Sequence, residues 1–296
     1  MGPSGSPTVR RRRLAAELRR LRGNTTGTVV SRAVGWSPTK ISRAESGRES
    51  IPPQEVEKLL DYYRVTDPLR AQLLSLAEDA TRRGWWEDYS GVLAGDYLEY
   101  IGLESEAVSA AVWHSDIVPG LLQTADYARQ ISVGYQSVIP TPPSVVEQVV
   151  QVRALRQERL TSEPALQLNA IIDEAVLMRR IGTRQLMQAQ LAHLAAMSEL
   201  PNIDLRILAL DREGDLVAPP FEVLSFGQWE AASNANLGDV VYIETVRNEL
   251  YIEGEMGTYP FRLFFQALTR AALSPEASRD LLRGMARSAV SEHNRP

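Results

Sequence analysis

The sequence of 296 residues contains no cysteine and only three histidines. The absence of cysteine excludes disulfide bonds, thiolate metal sites and a cysteine nucleophile. No apolar run approaches the roughly 18 residues of a membrane-spanning helix, and the chain does not open with the basic and apolar segments of a secretory signal peptide. We therefore expect a cytoplasmic protein that contacts no membrane and uses no cofactor.

Negative charge is scarce in the first fifty residues. They contain ten Arg and one Lys against three Glu, a net charge of +8, which leaves −13 on the rest because the whole chain carries −5. A basic segment joined to an acidic body indicates a polyanionic partner for the first segment alone, although a solvated charged helix would show the same run of Arg. The length and the 44% apolar content predict two globular domains.

Residues 35–48 read Gly-Trp-Ser-Pro-Thr-Lys-Ile-Ser-Arg-Ala-Glu-Ser-Gly-Arg, which is typical of a turn followed by a short helix with a polar outer face. Ser37 can cap the helix, Pro38 suits its first position, and Gly47 suits the left-handed residue at its end. At about 100° per residue, one face carries Thr39, Ser42, Arg43 and Ser46, while Ile41, Ala44 and Glu45 point the other way. The pattern predicts the recognition helix of a helix-turn-helix, which enters the DNA major groove.

Four more helices are predicted around this segment. Helical periodicity predicts one over residues 8–22, a second capped by Thr26, a fourth beginning at Ile51-Pro52-Pro53, and a fifth opened by Asp67-Pro68. We expect residues 1–8 to be disordered and residues 9–83 to form an all-α, helix-turn-helix DNA-binding domain.

Residues 84–296 mix both kinds of secondary structure and predict an α+β domain. Strands are expected over residues 166–172, 203–208, 221–226, 240–244 and 250–253. Helices are expected near residues 96–111, after Thr124, and over residues 144–160, 183–200, 259–272 and 275–288. The fold class is thus multi-domain, with an all-α head followed by an α+β domain.

Within the predicted head, thirteen residues are candidates for contact with double-stranded DNA. We place Thr39, Lys40, Ser42 and Arg43 near base edges, since Arg is suited to bidentate contact with guanine. Backbone N–H groups around Gly27 and Thr28 would meet phosphate at a positively polarised helix start. The arm formed by Arg10, Arg11, Arg12 and Arg13 would follow the backbone or enter the minor groove, and Ser37, Ser46 and Arg48 complete the set.

Glu45 lies on the inward face of the recognition helix, where a lone carboxylate would be costly. Its natural partner is an Arg of the first helix, either Arg20 or Arg22. We therefore assign Glu45 to the stability of the domain and not to base recognition.

The alternative to a purely regulatory protein is an enzyme whose active site lies in the second domain. The histidines His114, His193 and His293 are scattered without metal-ligand spacing, and His193 fits a partly buried position in an amphipathic helix. Asp173 and Glu174 are adjacent, so they would point to opposite faces of a strand. No nucleophile elbow, phosphate loop or zinc signature is found, and we expect no enzyme activity.

Aromatic residues concentrate just after the predicted boundary. We favour a packing role for them over a small-molecule pocket or a groove for a protein partner. The set comprises Trp85, Trp86, Tyr89, Tyr97, Tyr100, Trp113 and Tyr127.

Residues 14–47 resemble an Xre-type, lambda-repressor-like helix-turn-helix, and the wider chain is similar to actinobacterial WhiJ-like regulators with an antitoxin-like C-terminal domain of unknown function. The resemblance is carried by Thr26-Gly27, residues 35–43, Arg83-Gly84-Trp85-Trp86, and above all Val118-Pro119-Gly120-Leu121-Leu122-Gln123-Thr124. It continues through Asp173-Glu174-Ala175, Leu200-Pro201-Asn202-Ile203 and Ala272-Leu273-Ser274-Pro275-Glu276.

The resemblance implies a transcriptional regulator, often working with a small partner protein encoded nearby. The second domain would then sense an unknown small-molecule effector or bind that partner. The alternative is an antitoxin-like protein that mainly neutralises its partner and binds DNA to regulate its own gene. Because a head this small makes few base contacts, we expect a homodimer on a two-fold site.

Overall fold

A computed structural model describes residues 7–47, 50–138, 140–212, 216–227, 238–245 and 249–291. The chain divides into two compact units. The first comprises Met1–Ser90, Tyr97–Glu106 and Phe226–Gly238, and the second comprises Gly91–Asp96, Ala107–Ser225 and Asp239–Pro296. The predicted division at residues 83 and 84 stays a prediction.

The five helices predicted for the head are present. They are α1 (Pro7–Arg22), α2 (Gly27–Val34), α3 (Pro38–Ser46), α4 (Pro53–Tyr62) and α5 (Leu69–Ala80). Pro7 and Thr8 belong to α1, so the expectation of disorder is wrong for these two residues. The physical reason is that the start of this helix packs against the protein, since Thr8 and Val9 are buried. Residues 1–6 lie outside the described part of the chain.

The core of the first unit is built from the apolar stripes of these helices, as the periodicity predicts. Its fully buried side chains include Leu14, Leu18, Val30, Ile41, Val56, Leu59, Leu60 and Leu73. A single-turn 3-10 helix, Trp85–Tyr89, buries Trp86 in the same unit. Only glycine fits at Gly84, because a Cβ atom there would lie 2.3 Å from the Trp86 indole.

The first unit also contains most of a sixth helix, α6 (Gly95–Glu104), whose Tyr100 and Leu103 are buried. Tyr100 donates its hydroxyl proton to Glu104 Oε2 at 2.7 Å and stacks on Tyr97 with ring centroids 6.0 Å apart. Trp86 and Tyr100 therefore serve packing, whereas Trp85 is exposed.

The second unit is built on a six-stranded sheet of order β3-β2-β1-β4-β5-β6. Its strands are β1 (Ser109–His114), β2 (Gln167–Asp173), β3 (Ile203–Leu208), β4 (Phe221–Ser225), β5 (Val240–Glu244) and β6 (Glu249–Glu253). β1, β2 and β3 run parallel, and β4, β5 and β6 are joined in antiparallel register. The helices are α7 (Ala125–Gly134), α8 (Pro143–Gln157), α9 (Glu174–Met178), α10 (Arg184–Met197), α11 (Glu255–Ala271) and α12 (Pro275–Ser291).

Both faces of this sheet are buried. On one face, Trp113 and Phe221 pack against Phe261, Phe264 and other apolar residues of α11. On the other face, the alternate strand positions are buried as well, and they include Ala110, Val112, Leu168, Ala170, Leu224 and Val240. The prediction of an all-α head followed by a domain that mixes helices and strands is confirmed.

The helix predicted over residues 96–111 is wrong in its second half. The helix ends at Glu104, and Ser109 begins β1, the strand that pairs with both β2 and β4. Its apolar residues are needed on both faces of a central strand, so no alternation of polar and apolar residues marks it. Tertiary pairing outweighs the helical preference of an alanine-rich stretch here.

Candidate nucleic-acid interface

Helix α3, predicted to be the recognition helix, has the two faces that its sequence predicts. Ile41, Ala44 and Glu45 are buried, whereas Thr39, Ser42, Arg43 and Ser46 are exposed. The hydroxyl of Ser46 donates to the backbone carbonyl of Arg43 at 3.0 Å. The outer face thus presents short hydroxyl side chains and one guanidinium to solvent, a composition suited to base edges in a major groove.

Local backbone geometry sets both ends of this helix. Ser37 Oγ accepts from the Lys40 N–H at 3.1 Å, which is the expected N-cap hydrogen bond. Gly47 has φ of 68° and ends the helix in the left-handed region. A Cβ atom at Gly47 would lie 3.2 Å from the Cα atom of Arg12, so α3 ends in close contact with α1.

The start of α2 is available to an anion. Thr26 occupies the N-cap position with extended backbone, but its side chain makes no capping hydrogen bond. The N–H groups of Gly27 and Thr28 are the first of α2, and that of Thr28 lacks the acceptor that an N-cap hydroxyl usually provides. A phosphate oxygen would satisfy them, and the helix dipole favours its charge.

A groove of about 420 Å³ joins these two features. It is lined by Gly27 and Thr28 of α2, Ser42 and Ser46 of α3, and residues of α1 that include Arg19 and Arg22. The structure thus brings Ser42, one of the predicted base contacts, into one concave surface with Gly27, Thr28 and Ser46, and the other candidates among the described residues do not line this groove.

Sequence analysis missed Arg19 and Arg22 as part of this surface. They lie three residues apart near the end of α1 and therefore share a helix face, which is the signal that could have found them. Arg19 also donates to the backbone carbonyl of Glu45 at 2.6 Å, so it ties α1 to the recognition helix.

Arg22 is the partner of Glu45. Arg22 Nε donates to Glu45 Oε1 at 2.7 Å, while Arg20 pairs with Glu17 at 2.8 Å. Glu45 is 8% exposed and lies near Tyr63, whose pKa rises to about 12 through burial first and the Glu45 charge second. The pair thus fastens the inner face of α3 to the end of α1.

Lys40 is engaged within the domain. Its Nζ atom lies 2.6 Å from Glu55 Oε1 and 4.5 Å from the centroid of the Trp36 ring. This ion pair and cation–π contact join α3 to α4 and to the turn before α3. These contacts hold Lys40 against the protein, although the sequence predicts it near base edges.

Arg10–Arg13 form part of helix α1 and no extended arm, so the expectation of an arm is wrong, whereas their contact with DNA stays a prediction. Arg10 forms an ion pair with Asp79, Arg12 with Glu99, and Arg13 with Glu106 at 3.2 Å. Arg11 donates to Thr8 Oγ1 at 3.3 Å. Carboxylates of the first unit thus neutralise three of these charges, while Arg48 lies outside the described residues.

In the second unit, the segment 118–124 forms a turn that buried side chains hold in place. Gln190 is completely buried, and its Nε2 donates to the carbonyl of Leu122 at 2.7 Å. Gln157 Nε2 donates to the carbonyl of Gln123 at 2.7 Å. Thr124 then caps α7 by accepting from the Tyr127 N–H at 3.3 Å.

A charged cluster lies at the end of β1 in the same unit. His114 shares a sheet face with Glu222, because Glu222 pairs with Val112, two residues before His114. The His114 ring lies 3.3 Å from Asp116 through Nδ1 and 3.5 Å from Glu222 through Nε2. Burial lowers the pKa of His114, but the two carboxylates outweigh burial and raise it to about 9. Sequence analysis missed this cluster.

Two families match this sequence. Residues 97–284, more than half of the chain, match the family described as a domain of unknown function, DUF5753. The chain belongs to the DUF5753 family. Residues 13–73 match the family described as a helix-turn-helix domain. No curated protein and no solved structure matches the chain.

The helix-turn-helix match indicates DNA binding, and the function of the DUF5753 region is unknown. The match covers α2 and α3 with the whole groove, but it begins at Arg13 and leaves out Arg10, Arg11 and Arg12. The DUF5753 match begins at Tyr97 and so includes the part of α6 that belongs to the first unit.

Asp173 and Glu174 of the DUF5753 region accept hydrogen bonds from backbone N–H groups near the ends of secondary-structure elements. Asp173 caps α9 by accepting from the Ala175 N–H at 2.9 Å, and Glu174 accepts from the Leu210 N–H at 2.9 Å. His193 is partly buried, and burial lowers its pKa. In the described ranges, no group of three or more His, Asp or Glu side chains could hold a metal ion, and none of the helices there is both long and apolar enough to cross a membrane.

Proposed function

We propose that this protein is a sequence-specific transcriptional regulator that reads DNA with the outer face of α3. The observation that carries the proposal is the groove that unites the uncapped start of α2 with Ser42 and Ser46 of α3. Phosphate bound at Gly27 and Thr28 would fix the register, and Thr39, Ser42 and Arg43 would meet base edges. Lys40 is left out of the reading set because Glu55 and Trp36 hold it.

We propose Arg19 and Arg22, instead of the predicted Arg10–Arg13, as the arginines that contact phosphate. Both line the groove beside the start of α2. Their guanidinium groups retain donors toward a phosphate while they hold Glu45, since each carries five N–H groups.

We propose a homodimer, since one recognition helix of nine residues makes few base contacts. Selection of random double-stranded DNA by the full-length protein tests both statements. The expected result is an enriched site with two inverted half-sites about one helical turn apart. Recovery of unenriched sequences would contradict sequence-specific binding, and a single half-site bound by a monomer in light scattering would contradict the dimer.

The DUF5753 region is proposed to control this binding by sensing a ligand or by holding a small partner protein, in keeping with the resemblance to WhiJ-like regulators. We propose no catalytic role for this region. We also propose that the protein is cytoplasmic, because it would bind DNA. Native mass spectrometry of the full chain purified from its own cells distinguishes the two roles. A bound metabolite supports sensing, and a stoichiometric small protein supports partner binding, including the antitoxin-like alternative.

A further inference from the structure

A second cavity opens at the surface of the first unit, and it is lined by other residues than the groove beside α3. It has a volume of about 440 Å³ and lies between α1 and α5, with Glu106 as a further wall residue. This volume falls within the range of small-molecule sites, roughly 300–1,000 Å³. The polar residues of its wall are Arg10, Arg13, Gln72, Ser75, Asp79 and Glu106.

Arg13 is the buried charge of this cavity, with 9% of its surface exposed. It donates through NH1 to Glu106 Oε1 and through NH2 to the carbonyl of Gly227, both at 3.2 Å. Its Nε–H is buried and has no hydrogen-bond partner among the described residues. Burial lowers the pKa of Arg13, and the Glu106 charge offsets only part of this effect.

The Nε–H of Arg13 is a donor, so a molecule that satisfies it must bring an acceptor. A buried guanidinium N–H without a partner is costly, and an ionised oxygen compensates it best. The Arg10 guanidinium, the Gln72 amide and the Ser75 hydroxyl add further donors to the same wall. Glu106 and Asp79 balance the two guanidinium charges, and an incoming anion would compete with Glu106 for Arg13.

We propose that this cavity binds a small organic anion, a carboxylate or a phosphate ester, through Arg13 and Arg10. The site lies in the first unit and not in the sheet of the second unit. Neither family match assigns a ligand to these residues.

The cavity is connected to the recognition helix through one turn of α1. Arg12 lies between Arg10 and Arg13 in α1. Gly47, which ends α3, is in close contact with the backbone of Arg12. An anion that shifts the first turns of α1 would therefore shift the end of α3 and change DNA affinity. This coupling rests on the proposed function, whereas the anion site does not.

Titration of the full-length protein with citrate and, separately, with glucose 6-phosphate tests the site. The measurement is the Nε–Hε NMR signal of Arg13 in arginine-labelled protein, identified by its loss in Arg13→Lys, with sodium chloride at matched ionic strength as the reference. A saturable shift with citrate alone identifies a carboxylate site, and a shift with the sugar phosphate alone identifies a phosphate ester site. Absence of a saturable shift with both probes overturns the proposal.

Two variants separate binding from a structural role of the ion pair. Arg13→Gln should abolish the anion response, whereas Glu106→Gln should tighten binding several-fold because it removes the competing carboxylate. Arg129→Gln, at an exposed arginine of α7, is the matched control and should bind as the wild type does. If Arg13→Gln fails to fold, an unchanged affinity in Glu106→Gln still overturns the site.

The coupling is measured with the DNA selected by the wild-type protein. The saturating anion should change the dissociation constant for that DNA, and it should have no such effect on Arg13→Gln. Anion binding without any change in DNA affinity overturns the coupling but keeps the site. Anion binding by a protein that selects no DNA would overturn the proposed function alone.

Discussion

Replacement of Glu45 by Gln tests whether the buried carboxylate holds the recognition helix in place. Removing one partner of a buried ion pair costs about 3–5 kcal/mol, because the other charge is left uncompensated. Arg22 is 21% exposed and keeps its hydrogen bond to the Thr25 carbonyl, so part of this charge stays solvated. Gln also retains an acceptor, and we expect a loss of about 2–3 kcal/mol in the local stability of α3.

Hydrogen exchange of the full-length protein, read by mass spectrometry over peptides of α3 and α4, measures this loss. A loss of 2–3 kcal/mol accelerates exchange by roughly 30- to 140-fold, since every 1.4 kcal/mol is tenfold. Glu57→Gln removes an exposed carboxylate of α4 that pairs with Arg70, and it should exchange close to the wild type. Equal exchange in the two variants, or a changed DNA preference in Glu45→Gln with unchanged protection, would refute the structural role.

Three further substitutions test other parts of the account. His114→Gln should abolish a pH dependence of the free energy of unfolding. The pKa of His114 is about 9 in the folded protein and about 6.5 in the unfolded chain, so its stabilising contribution of about 3 kcal/mol is complete below the lower pKa and is lost as pH rises through the higher one. Urea midpoints of both proteins at the two ends of this pH window check it, and an equal change of stability with pH in the two proteins would contradict it. Gly84→Ala should destabilise the first unit by about 1–3 kcal/mol through overlap with Trp86, while Gly91→Ala, which meets no atom within 4 Å, serves as the neutral control in the same urea titration. Gly47→Ala should cost about 1–2 kcal/mol through its left-handed backbone alone, and unchanged protection of α3 in hydrogen exchange would argue against that strain.

The helices of the first unit could be predicted because their signals are local. Ser37, Pro38 and Gly47 mark the ends of α3, and the spacing of Leu14 and Leu18 marks the buried face of α1. Caps and apolar periodicity act over three or four residues, which a sequence shows directly.

The features that could not be predicted depend on partners distant in the chain. From the sequence alone, the basic run at Arg10–Arg13 favours an arm on DNA, because its carboxylate partners Asp79, Glu99 and Glu106 lie far along the chain, on α5, on α6 and just beyond α6. The cluster around His114 likewise depends on Glu222, which only the pairing of β1 with β4 brings near. The sequence of strand β1 likewise favours a helix, since a strand buried on both faces lacks the alternation of polar and apolar residues.

Arg43 is the residue at which base reading by the outer face of α3 can be measured. The measurement is a comparison of the DNA sequences selected by the wild-type protein, by Arg43→Ala and by Arg82→Ala, an exposed arginine just beyond α5. We predict that Arg43→Ala loses preference at one base position per half-site, at a cost of about 1–3 kcal/mol there, while Arg82→Ala selects the wild-type site. An Arg43→Ala variant that selects the wild-type site with unchanged preference at every position would contradict base reading by this face.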